Sequence, residues 1–99
     1  MTSLSISREA DQDIDRLTQF LLQSQPEYAF KAGQSIFKAL DFLTTSPEIG
    51  RPCQLPLREL VISQGKSGYL ALYIYDPIAD DILVLRIRHQ REIGHKNLP

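Results

Sequence analysis

Cysteine is nearly missing from this sequence. Cys53 is the only one in 99 residues, so no disulfide can form within the chain. No apolar run approaches the ~18 to 20 residues of a membrane span, and the opening MTSLSISREADQD lacks the cationic and apolar regions of a secretory signal. A reducing cytoplasm is the expected compartment. An excess of one charge is missing too: 11 Lys+Arg stand against 12 Asp+Glu, a formal net charge of −1, which argues against a protein that coats nucleic acid by bulk electrostatics. The balance is uneven along the chain. Residues 1–49 hold four bases against seven acids, residues 50–99 seven bases against five acids, and the positive end is C-terminal.

Several chemistries lack their residues. Gly65-Lys66-Ser67 resembles the end of a phosphate-binding loop, but position 60 is Leu where that pattern needs glycine, and a strand pattern follows where a helix should; the segment is expected to be a hairpin turn. His89 and His95 are six apart, the one cysteine is distant and the nearby acids do not complete a ligand set, so no metal or other cofactor is expected. No G-x-S-x-G elbow is present, and Cys53 sits in a proline-flanked loop without a sequence-adjacent histidine, as a dispensable loop or core residue.

What is present reads as one small α+β domain spanning residues 1–99: an N-terminal strand, an αα-hairpin, then a three-stranded antiparallel meander. Thr2–Ser7 alternates Leu4 and Ile6 with serines, as a strand does. Ala10, Ile14, Leu17 and Leu21 then recur at helical spacing from Arg8 to Gln23, with Ser7 as N-cap and Glu9 and Asp11 favouring the positive helix start. A second helix begins at Ser24-Gln25-Pro26-Glu27, where Ser24 and Glu27 have capping-box spacing, and carries Ala29, Ala32, Ile36, Ala39 and Leu43 as its stripe. After a loop holding Pro47, Gly50, Pro52 and Pro56, three β runs follow: Arg58–Ser63, Tyr69–Asp76 and Asp81–His89. Their short links suit a meander. Leu70, Leu72 and Ile74 with Leu83, Leu85 and Ile87 define an aliphatic face, the expected floor for the helical hairpin. The tyrosines Tyr69, Tyr73 and Tyr75 with Arg86 and Arg88 are expected on the opposite, uncovered face. Arginines leaving a strand end can hold phosphates bidentately and imidazoles can move protons near pH 7, so Arg86 to Lys96 draws attention, although alternate arginines also serve simply to solubilise a sheet.

These residues carry a resemblance. The order of elements, with "SPEIGRP", "RELVI", "GKSGYLALYIYD" and "LRIRHQREIGH", resembles the RelE/ParE superfamily of bacterial toxins over nearly the whole chain. The resemblance implies the toxin of a type II toxin–antitoxin pair, held inactive by a ParD-like or RelB-like antitoxin that wraps it. It also implies one of two activities: cleavage of mRNA on the ribosome by RelE-like members, or poisoning of DNA gyrase by ParE-like members that lack nuclease activity. The positions matching the RelE-like nuclease site are Arg58, Arg86, Arg88, Arg91 and His95, the last standing where such nucleases carry a tyrosine. The lysine cluster of ribosome-dependent members is missing, only Lys66 being close. With the net charge of −1, that favours a non-enzymatic gyrase inhibitor without sequence-specific nucleic-acid binding, whose antitoxin or target would contact Tyr69, Tyr73, Tyr75, Arg86, Arg88 and Arg91. A third reading is an inert paralogue that only titrates antitoxin.

Overall fold

A computed structural model of the chain describes residues 2–64 and 67–89. Their order is β1 (Ser3–Ile6), α1 (Arg8–Ser24), α2 (Pro26–Leu43), β2 (Arg51–Pro52), β3 (Leu57–Gln64), β4 (Ser67–Asp76) and β5 (Asp81–His89). The strands form one sheet in the order β1-β5-β4-β3-β2. β3, β4 and β5 are the expected antiparallel meander, while β1 lies parallel to β5 with Leu4 opposite Ile82 and Ile6 opposite Val84. The α+β class therefore holds, with one addition: the two-residue β2 pairs Arg51 with Glu59 and Pro52 with Arg58. The Gly65-Lys66 turn lies outside the described residues.

Ser7 starts α1 as its sequence suggests. Its Oγ accepts the Ala10 N–H at 3.0 Å, and the same hydroxyl donates to the Leu85 carbonyl at 2.9 Å, so one cap also pins the helix start to β5. The expected Ser24–Glu27 capping box does not form. Ser24 is the last residue of α1 and donates back to Phe20 O, whereas Gln25 closes α1 and opens α2 without a side-chain cap. Pro26 makes this sharp junction possible, since its ring needs no amide partner in the first helical turn. At the β4–β5 turn, Asp76 Oδ1 accepts from the amides of Ile78 and Ala79, and Asp80 takes the left-handed conformation (φ 54°) that aspartate tolerates better than most residues. The Asp80 carboxyl lies below the usual carboxylate range because Thr2 and Tyr75 donate to it.

Both helices lie on one face of the sheet, α1 over β5 and α2 over β3. The core between them holds Ala10, Leu17, Ala32, Ile36, Leu40 and Leu43 from the helices and Ile62, Tyr69, Ala71, Tyr73, Ile82, Val84 and Ile87 from the strands. This reverses the expected assignment of faces in β4 and the first half of β5, while Ile87, inward, and Arg86 and Arg88, on the opposite side, fall as expected. Tyr69, Ala71 and Tyr73 point at the helices, and Leu70, Leu72 and Ile74 line the uncovered side. Two physical reasons explain it. Tyr73, fully buried, satisfies its hydroxyl by donating to Pro47 O (2.8 Å) and accepting the Gly50 N–H (2.9 Å), so an aromatic with a polar tip is accommodated in the core. And the register slips between Leu72–Arg86 and Tyr73–Val84, leaving Leu85 as an extra residue. That bulge changes the parity of β5, so Ile82 and Val84 share the inner face with Ile87 while Arg86 and Arg88 fall opposite the outward Leu72 and Leu70.

Candidate binding surfaces and the placement of the basic residues

The sheet face away from the helices, which no described element covers, carries an aliphatic patch beside Glu59, Arg86 and Arg88. Cross-strand register aligns Leu57 with Ile74, Val61 with Leu70 and Ile74 with Leu83 on it. Val61 (50% exposed) and Leu83 (38%) are its most open members. A second apolar surface runs along the outer side of the helical hairpin: a groove of about 610 Å³ lined by Leu22, Ala29, Phe30, Gly33 and Phe37, with Phe30 and Phe37 70% and 61% exposed. Two such surfaces on so small a chain are characteristic of a protein that works in a complex.

The structure places the sequence-derived site residues as follows. Tyr69 and Tyr73 are buried beneath the helices, and burial raises both phenols above the usual tyrosine range, Tyr73 with partial opposition from Gly50 and Arg58. Neither offers its ring to a partner on the uncovered face, which corrects the expectation. Tyr75 is partly buried and donates to Asp80 Oδ1 at 3.1 Å. Arg58, opposite Tyr73, donates through Nη1 to the carbonyls of Glu48 (3.0 Å) and Gly50 (2.8 Å) and pairs with the Glu48 carboxylate at 3.6 Å. Arg86 is held bidentately by Asp13, Nε to Oδ2 at 2.7 Å and Nη2 to Oδ1 at 3.0 Å. Arg88 is partly buried opposite Leu70, and His89 meets Tyr69 edge-to-face at 5.3 Å. Arg91 and His95 lie outside the described residues. Register thus sets Arg58 on the helix-facing side and Arg86 and Arg88 on the other, so the structure does not gather these three arginines around one phosphate-sized point.

Two residues escaped the sequence reading. Asp13 is 4% exposed and accepts both Arg86 bonds and the Ile87 amide at 3.0 Å; burial raises its carboxyl, but the bonds from Arg86 and Ile87 outweigh that and hold it below the usual range. A signal was present, because Asp13 interrupts the apolar stripe between Ala10 and Leu17. Gly50 is the other, fixed by Tyr73 and carrying no sequence mark beyond a proline-rich loop. Among the described residues, no group of three or more His, Cys, Asp and Glu is placed to hold a metal, and no helix is long and apolar enough to cross a membrane.

Against this geometry the comparisons are decisive. The family described as the ParE toxin of the type II toxin-antitoxin system, parDE, matches residues 4–94. The chain belongs to the ParE toxin family. It is 32% identical over 92 residues to Toxin RelE3 of Caulobacter vibrioides, covering 93% of this chain and 98% of that protein, and 33% identical over 87 residues to Toxin RelE1 of the same organism, covering 88% and 91%. Its fold is similar to that of a chain from the chromosomal ParDE system of P. aeruginosa, with a TM-score of 0.72 and 28% identity over 89% of this chain and 95% of that one. It shares a fold with a chain of the RelBE2 toxin-antitoxin complex of Mycobacterium tuberculosis, with a TM-score of 0.55 and 22% identity over 90% and 98%. This ParE-family chain is accordingly a type II toxin of the ParE/RelE superfamily.

In this ParE-family toxin Cys53 is exposed, its amide donating to Leu57 O beside β2. Cys53→Ser is expected to leave the thermal midpoint and growth inhibition as in wild type, within about 0.5 kcal/mol of stability. Loss of toxicity in a folded Cys53→Ser protein would reveal a reactive thiol.

Proposed function

We propose that this toxin acts as a non-enzymatic inhibitor of DNA gyrase in the cytoplasm and is silenced by an antitoxin whose segments cover its apolar surfaces. The observation that carries the reading is the engagement of Arg58 and Arg86 in internal bonds. A nuclease needs cations aimed at the developing phosphorane, with an acid and a base beside them. Here Arg58 secures the 48–50 loop, and Arg86 is the bidentate counter-ion of a buried carboxylate; drawing it toward a substrate would leave Asp13 only the Ile87 amide and Arg16 at 3.8 Å. A net charge of −1 also gives little counterion release on ribosomal RNA. The antitoxin part of the reading is supported by the ParDE and RelBE2 systems in which the fold neighbours occur, and by the groove at Phe30 and Phe37 with the Leu57–Leu83 face, which a segment that folds on binding would bury.

The names of the two Caulobacter relatives favour a second reading, ribosome-dependent mRNA cleavage with Arg88, Arg91 and His95 as the reacting groups. A gyrase supercoiling assay with a DNA-cleavage readout, run beside transcript sequencing of cells expressing the toxin, separates the two. The expected result is blocked supercoiling, accumulated linear DNA and intact transcripts, with single alanine changes weakening toxicity gradually, by ~1 to 4 kcal/mol at interface hot spots. Cuts at codon boundaries that vanish in His95→Ala, with gyrase unaffected, would establish the nuclease reading instead.

A further inference from the structure

The groove on the outer side of the helical hairpin has one wall from each helix. Ile14, Thr18 and Leu22 form the α1 wall, and Phe30, Gly33 and Phe37 the α2 wall. Its centre is open: a Cβ added to Gly33 would meet nothing within 4 Å. Phe30 and Phe37, one helical turn to either side of that glycine, both stand largely exposed. The groove thus carries its own projections and its own hollow, as a surface that meets a copy of itself requires.

The rims of the groove carry opposite charges in matching order. On α1 the exposed series is Arg8, Asp11 and Asp15; on α2, read back from its end, it is Asp41 and Lys38. The helices run antiparallel about Gln25, so Asp11 and Lys38 stand at nearly the same distance from that junction, as do Arg8 and Asp41. None of these five side chains forms an ion pair with another described residue. All five are therefore open to a second surface.

We propose that in the free toxin this groove is filled by a second copy of the chain, the two hairpins packing about a two-fold axis as a four-helix bundle. An axis running along the groove lays α1 of one copy over α2 of the other, antiparallel and at unchanged height. Asp11 and Asp15 of one copy then meet Lys38 of the other, and Arg8 meets Asp41, each contact occurring twice. The phenylalanines of both copies close over the two Gly33 positions and leave water. Charge sets the register, and the aromatic rings supply the buried area. The pairing goes beyond the antitoxin reading and stands without it. An antitoxin segment that enters the same groove must first part the copies, so self-association and neutralisation exclude one another at this surface.

The test is sedimentation of the full chain purified alone, over a range of concentrations, beside variants at exposed positions. The expected result is a dimer that Phe37→Asp weakens by about thirtyfold or more. Lys38→Glu should weaken it too, as should Asp11→Lys combined with Asp15→Lys, because each change sets like charges together at both symmetry-related contacts. A one-to-one mixture of these two proteins should recover the dimer, since in the mixed pair every acid again faces a base. A monomer at every concentration overturns the proposal; if Phe37→Asp then lowers affinity for the protein encoded beside the toxin, the groove belongs to the antitoxin alone. A dimer that Phe37→Asp leaves unchanged uses another surface and overturns it as well. A mixture no tighter than its components rules out this packing of α1 on α2.

Discussion

Gly50→Ala is expected to cost roughly 3 kcal/mol or more, a fall of about 12 to 24 °C in thermal midpoint for a chain of this size. A Cβ at position 50 would sit 2.5 Å from Tyr73 Oη, 2.6 Å from Tyr73 Cε1 and 2.9 Å from the Glu59 carbonyl. The tyrosine cannot withdraw easily. It is fully buried, and its hydroxyl is held by Pro47 O and the Gly50 amide. Nor can the loop shift freely, because Arg58 donates to the carbonyls of both Glu48 and Gly50. Tyr73→Phe alone should cost about 1 to 3 kcal/mol by leaving the Gly50 N–H without its acceptor. It should not rescue Gly50→Ala, because Cε1 and the Glu59 carbonyl remain in place. Thermal melts of the two single variants and the double variant check this; a double variant as stable as Tyr73→Phe would show that the hydroxyl alone makes the clash.

Asp13→Ala carries the next largest expected effect, about 2 to 4 kcal/mol. It leaves the Ile87 amide without its acceptor and takes the bidentate carboxylate away from Arg86. The figure stays below the usual range for a fully buried pair because the Arg86 side chain is 38% exposed and water replaces part of what it loses. The same bonds predict a pH dependence. Since the folded carboxyl titrates below its unfolded value of about 3.9, its contribution is complete above about pH 4 and disappears as pH falls through the lower, folded value. Wild type should therefore lose more of its midpoint than Asp13→Asn between pH 6 and pH 3. Equal losses in the two proteins would mean that Asp13 is not the titrating partner.

Much of the fold was legible from pattern alone. The period change at Ser7, the Pro26 junction and the three β runs each carry a local signal that tertiary packing did not override. The faces of the sheet were not legible. In β4 both alternating sets are apolar, Leu70-Leu72-Ile74 against Tyr69-Ala71-Tyr73, and what decides between them is distant: small helical residues Ala10 and Ala32 that leave room for rings, and a loop at Pro47–Gly50 that receives the Tyr73 hydroxyl. The bulge at Leu85 has no sequence mark, yet it separates Arg86 and Arg88 from Ile82 and Val84. Arg58 and Arg86 were found as basic residues of interest but not as structural ones, since their partners Glu48 and Asp13 are 10 and 73 positions away.

The pairing of β1 with β5 also sets a timetable for synthesis. Ser7 is tied to Leu85 and Asp13 to Arg86 and Ile87, so the start of the chain finds its lasting partners only after the last described strand has been made. At 5 to 20 residues per second, the 73 positions between Asp13 and Arg86 take about 4 to 15 s to translate. Through that interval α1 lacks β5, the strand it packs on, although β3, under α2, is already made. A truncated or stalled toxin ending before Asp81 lacks the strand that joins β1 and α1 to the meander, so it cannot complete this sheet.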